Sequence, residues 1–110
     1  MFEGKVVIIT GASSGIGKAL AVEGLNRGAH VVLAARNEAA MKEAVREYDP
    51  ENYLIVRTDV TKQNDCRNLI RKAVECFGRI DALINNAGIS MRALFNDLDT
   101  SVMEQVMSVN

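Results

Sequence analysis

The stretch that decides the fold is Val6-Val7-Ile8-Ile9-Thr10 running directly into Gly11-Ala12-Ser13-Ser14-Gly15-Ile16-Gly17. Aliphatic residues at successive positions, with no in/out alternation, read as a strand buried on both faces. The glycines that follow give a tight turn, and the residues from Ile16 to about Arg27 favour helix, with Ile16, Leu20 and Leu25 apolar and Gly28 as the stop. A glycine-rich turn between a strand and a helix is suited to phosphate. The helix N-terminus offers unpaired N–H groups and a positive dipole end, and glycine lets the backbone approach a diphosphate without Cβ atoms intervening. A Walker A loop ending at Gly17-Lys18 would need glycine at position 12 and Ser or Thr at position 19. Both are alanine, which excludes a P-loop nucleotide triphosphatase.

Outward from this turn the same alternation repeats. His30 to Ala35 reads as a second strand. Asn37 reads as an N-cap before the helical stripe Met41, Ala44, Val45, Tyr48, which Pro50 closes. Tyr53 to Val56 reads as a third strand. Thr61 reads as the cap of the most regular helix, with Cys66, Leu69, Ile70, Ala73, Val74 and Phe77 on one face and Gly78 at its end. Asp81 to Ile84 reads as a fourth strand, and Asp99 or Thr100 as the cap of a last helix. Strand–helix alternation of this kind predicts right-handed βαβ units, a parallel sheet and helices on both faces, the doubly wound α/β class.

The 110 residues are 48% hydrophobic and 25% charged, the composition of a globular domain and of one domain only. Thirteen basic against fourteen acidic residues argue against a nucleic-acid or membrane-surface partner. No N-terminal secretory signal and no apolar run of membrane-spanning length is evident in this sequence. Cys66 and Cys76 fall on one expected helix, about 15 Å apart at 1.5 Å per residue and so too distant for a disulfide. They read as packing thiols of a reducing, cytoplasmic compartment, not as redox or metal ligands. Lone His30 reads as structural or solvated, since nothing clusters with it.

Thr10-Gly11-Ala12-Ser13-Ser14-Gly15-Ile16-Gly17, Asp59-Val60 after the third strand, Asn85-Asn86-Ala87-Gly88 after the fourth, and Asn110 preceded by Val109 resemble, in order and spacing, the motifs of the short-chain dehydrogenase/reductase family. The resemblance runs the length of the chain. It implies a Rossmann-like sheet of order 3-2-1-4 for the part present, incomplete at its C-terminal side, with residues 1–110 as the cofactor-binding part of a longer fold. By the same resemblance, Gly11, Ser13, Gly15, Ile16 and Gly17 surround the pyrophosphate and neighbouring riboses. Asp59 would bond the adenine amino group with Val60 beside the ring, and Asn86, Ala87 and Gly88 would line the cofactor channel and brace the central strands. From the residues alone, Asp59 equally suits a helix entry before Thr61, and the Asn-Gly run equally suits a turn.

The second strand selects between cofactors. NAD-binding units carry an acid at its end, bonded to the ribose 2′-hydroxyl, whereas here Ala35 is followed by Arg36. A guanidinium suits a 2′-phosphate, so the pattern favours NADP(H) over NAD(H), with Ser14 and Asn37 as further hydrogen-bonding groups; the bland reading of Arg36 is a solvated arginine near a helix start.

Hydride transfer between a nicotinamide and a carbonyl or alcohol needs a proton donor or acceptor at the substrate oxygen. In the family this is a tyrosine with a lysine four residues on. Here Asn52 follows Tyr48 at that distance and Arg57 follows Tyr53, so the pair is absent from the 110 residues. Of the family's catalytic set only Asn110 carries over, as a placed functional group or a frayed end. The expectation is thus an NADP(H)-dependent oxidoreductase acting on a small-molecule carbonyl or alcohol in a homo-oligomeric parent. The chain alone would bind cofactor weakly and turn over nothing. A non-catalytic dinucleotide-binding or scaffold module is the alternative, to be decided by the reading frame after Asn110.

Overall fold

The computed structural model describes residues 2–86 and the backbone of residues 108–109. Strand β1 (Val6–Thr10) feeds helix α1 (Gly15–Asn26); β2 (His30–Ala35) feeds α2 (Glu38–Ala44); a 3-10 turn (Pro50–Asn52) precedes β3 (Tyr53–Arg57); α3 (Gln63–Phe77) leads to β4 (Ala82–Asn85). All strands pair in parallel in the order β3-β2-β1-β4, the arrangement expected from the sequence. Both faces of the central strands are covered. Val6, Ile8, Val32, Ala34 and Leu83 pack toward Cys66, Leu69, Ile70 and Ala73 of α3. Val7, Ile9, Val31 and Leu33 pack toward Ala21, Leu25, Met41 and Val45 on the α1 and α2 side. Burial of both sets of alternate residues is what an unbroken aliphatic strand requires.

Three boundaries differ from the sequence expectation. The second helix ends at Ala44, with Val45 at φ −113°, ψ 11°, and does not run on toward Pro50. Tyr48 leaves the helical path and donates its hydroxyl to Asn26 Oδ1 of α1 at 2.7 Å. Thr61 does not cap α3: Lys62 stands at the N-cap, and the Thr61 hydroxyl is donated to Asp59 Oδ1 instead. Finally, Ser108–Val109 form a short strand, β5, parallel to β4 at Leu83 and Ile84. The expected last helix therefore does not extend over 108–109, and the outer edge of β4, where the sheet is expected to be incomplete, is paired there. β1 satisfies only one side of β4, so another extended segment can take the peptide groups on the other.

The start of the sheet is fastened by Asp81. Its Oδ2 accepts the Val6 N–H at 2.7 Å, its own N–H donates to Val6 O at 2.9 Å, and Arg79 donates to Oδ1. Burial acts to raise the Asp81 carboxyl, but the hydrogen bonds from Arg79 and Val6 and the charges of Arg79 and Lys5 outweigh it and hold it below the usual aspartate range. A carboxyl depressed in the folded state contributes stability above its unfolded pKa, and that contribution is lost as pH falls through the folded value. Asp81→Ala is expected to lower the unfolding free energy at pH 7 by about 1–2 kcal/mol, with the gap to wild type narrowing on acidification. Urea denaturation across pH 7 to 2 checks this; equal stability at pH 7, or a gap that ignores pH, would refute it.

Candidate functional site

The C-terminal ends of β1, β2 and β3 open onto one cleft of about 410 Å³, lined by Gly11, Ser13, Ala35, Arg36, Asn37, Thr58, Asp59, Val60 and Thr61. Ligands of open α/β sheets bind at this end of the strands. Its floor is tied together by backbone bonds from Ala12 N to Ala34 O (3.3 Å) and from Thr58 N to Ala35 O (2.9 Å).

The glycine loop is built for close approach. Gly11 has φ +64°, and a Cβ on Gly17 would lie 2.0 Å from the Gly11 carbonyl oxygen and 2.7 Å from Asn86 Nδ2. Asn86 secures the loop from behind: its N–H donates to Thr10 Oγ1 at 2.9 Å, Thr10 Oγ1 donates to Asn85 Oδ1 at 2.9 Å, and Asn86 Nδ2 reaches Gly11 O at 3.4 Å. Ser14 is the N-cap of α1 in an extended conformation, its hydroxyl makes no capping bond, and no acidic residue occupies the first turn. The first-turn N–H groups thus face outward with no carboxylate of their own helix to compete for them, the condition for anion binding. Gly15 is exposed beside them, and Ile16 is 71% exposed, a large apolar side chain at the rim.

On the opposite wall, Arg36 is exposed just beyond β2 and makes no hydrogen bond or ion pair to another described residue. Asn37 spends its Oδ1 on the N–H of Ala40, capping α2 as expected. Asp59 accepts two bonds on Oδ1, from the Thr61 N–H at 3.0 Å and the Thr61 hydroxyl. These bonds, side chain first, together with the lesser charges of Arg36 and Lys62, hold its carboxyl below the ordinary aspartate value against the opposing desolvation. Val60 is half-buried against the α3 face of the core, and its carbonyl faces Cys66 Sγ at 3.5 Å.

Of the residues expected from sequence, Gly11, Ser13, Arg36, Asp59 and Val60 line the one cleft. Ser14, Gly15 and Ile16 sit at the adjoining α1 terminus, while Gly17 and Asn86 support the loop from within. Ala87, Gly88 and Asn110 lie outside the described residues. Thr58 and Thr61 also line the cleft, beyond the residues expected there; their place next to and two residues after Asp59 is the signal in the sequence that points to them. His30 sits at the opposite end of β2, stacked on Phe77 with ring centroids 4.9 Å apart. The exposed Arg36, the glycine cradle and the outward N–H groups fit the adenosine and diphosphate parts of a dinucleotide.

A family model described as short chain dehydrogenase matches residues 5–110. The 11-beta-hydroxysteroid dehydrogenase A of Sesamum indicum is 43% identical over 97% of this chain, the match covering 32% of that relative. Among solved structures, the apo form of glucose dehydrogenase from Caenorhabditis elegans superposes with a TM-score of 0.75 at 34% identity, over 84% of this chain and 41% of that one. The 3-ketoacyl-(acyl-carrier-protein) reductase from Brucella melitensis, complexed with NADH, gives 0.72 at 34% identity, over 76% and 34%. The chain thus spans about a third of the length of the curated relatives it matches.

Proposed function

The chain belongs to the short-chain dehydrogenase family, and from that premise we propose that it is the dinucleotide-binding part of an oxidoreductase that uses NADP(H) in preference to NAD(H) to interconvert a carbonyl and an alcohol. The observation that carries the cofactor reading is Arg36 on the wall of the cleft, next to Ala35 where NAD-binding units place an acid. A guanidinium with no ion pair to another described residue is available to a phosphate dianion and grips it through paired N–H donors. The α1 N-terminus takes the diphosphate, and the ionised Asp59 accepts a donor from the base. The nicotinamide, when bound, supplies hydride chemistry. Names such as hydroxysteroid dehydrogenase and 3-ketoacyl reductase among the relatives support the carbonyl–alcohol reading.

Titration of wild type and Arg36→Ala with NADPH and NADH tests the proposal. The variant is expected to lose about tenfold or more in NADPH affinity, the worth of a charge-assisted pair, with NADH affinity changed by no more than about twofold. No selective loss for NADPH would remove the 2′-phosphate assignment.

A further inference from the structure

Asp59 is held at both its backbone and its side chain. Its Oδ1 takes both the N–H and the hydroxyl of Thr61, two residues on, and its own N–H donates to Asp65 Oδ2 in the first turn of α3 at 2.9 Å. Backbone and side chain are therefore both fixed. The second oxygen, Oδ2, has no hydrogen-bond partner among the described residues, and both Asp59 and Thr61 line the cleft. A carboxylate has about four lone-pair sites. Here two are filled on one oxygen, and the acceptor capacity of the other remains.

Resting on the dinucleotide reading above, we infer that Thr61 is a positioning residue: by occupying Asp59 Oδ1 it fixes Oδ2 as the acceptor offered to the cleft, so that the site selects a purine carrying a 6-amino donor and disfavours one carrying a 6-oxo group. An ionised carboxylate only accepts, so an oxo group facing it sets two acceptors against each other, with neither satisfied. Without the Thr61 hydroxyl, Oδ1 keeps only the Thr61 N–H, so the carboxylate is less firmly oriented and ordering it on binding costs more entropy. The hydroxyl bond is also the largest influence holding the Asp59 carboxyl down, ahead of the Arg36 and Lys62 charges, and so keeps it acceptor-only; Asp65, which faces the Asp59 backbone, is the other acid at this turn.

The test uses NADPH and its deaminated analogue, identical except for hypoxanthine in place of adenine, titrated into wild type, Thr61→Val and Thr61→Ser. Thr61 is exposed, so removing its hydroxyl leaves the core intact, and the valine variant keeps the backbone N–H. Wild type is expected to prefer NADPH by about tenfold. Thr61→Val is expected to bring that ratio down by about threefold or more through weaker NADPH binding alone, and Thr61→Ser to restore it. Carbon NMR of the Asp59 carboxyl is expected to show its midpoint rising in Thr61→Val and returning in Thr61→Ser. An unchanged ratio in Thr61→Val, or an equal loss for both ligands, would overturn the role of Thr61 while leaving the dinucleotide reading standing. A wild type indifferent to the base would overturn the Asp59 contact itself. Binding of neither dinucleotide would overturn the proposed function and this inference with it.

Discussion

Gly17→Ala is expected to unfold or severely destabilise the chain and to abolish dinucleotide binding, whereas Gly15→Ala, two residues earlier in the same motif, is expected to be far milder. A Cβ at position 17 would stand 2.0 Å from the Gly11 carbonyl oxygen, a backbone atom that cannot swing aside, and 2.7 Å from Asn86 Nδ2. Relief requires α1 to move off the end of β1, which breaks the Asn86 contacts holding the loop and carries the first-turn N–H groups away from the diphosphate position. Overpacking of ordinary cores costs 1–3 kcal/mol; a clash with backbone at this distance places Gly17→Ala at or above that ceiling, about 3 kcal/mol or more. Gly15 differs in kind. Its φ of +58° strains any side chain, but no atom lies within 4 Å of its would-be Cβ, so the cost is the left-handed conformation alone, about 1–2 kcal/mol. Paired urea melts and NADPH titrations of the two variants decide it. If Gly17→Ala were as stable as Gly15→Ala and bound equally well, close helix–loop contact would not be the reason for that glycine.

The contrast shows how far the residues alone could be read. The bounds of β2 are legible in the sequence, because Val31 to Ala35 is an unbroken aliphatic run after His30 and the capping Asn37 follows closely, signals contained in the segment itself. The sheet order likewise followed from the family motifs and the parallel connections. Met41, Ala44, Val45 and Tyr48 keep helical spacing beyond the point where the second helix ends; the early end is accompanied by a tertiary bond, Tyr48 to Asn26 on the neighbouring helix, which no local pattern contains. Thr61 is ambiguous for a similar reason. A threonine before a helix suits an N-cap and an Asx turn equally well, and only the position of Asp59 Oδ1 settles where the hydroxyl goes. The pairing of Ser108–Val109 with β4 is a contact between segments distant in sequence, so helical spacing in the tail could not anticipate it.

Ala35→Asp is expected to reverse the cofactor preference in one step. Ala35 is the last residue of β2, hydrogen-bonded through its carbonyl to Thr58 N, and lines the cleft directly beside Arg36. A carboxylate there acts in two ways on a 2′-phosphate. It repels the dianion directly, and it offers the adjacent guanidinium an intramolecular partner, so that Arg36 must break an ion pair before it can grip the phosphate. The ribose of NADH meets the opposite situation, since its 2′-hydroxyl can donate to the new carboxylate as in NAD-binding units. Each effect is of the order of a charged hydrogen bond, and their sum predicts about a hundredfold fall in NADPH affinity alongside a gain of a few-fold for NADH. Ala35 is only 8% exposed, so the variant is also expected to lose about 1–2 kcal/mol of stability from burying part of an ionised group, and a melt beside the titrations separates the two effects. General destabilisation weakens both cofactors together. Only a 2′-phosphate seated against Arg36 predicts that one falls while the other rises, and an unchanged NADPH-to-NADH ratio in Ala35→Asp would place the phosphate elsewhere.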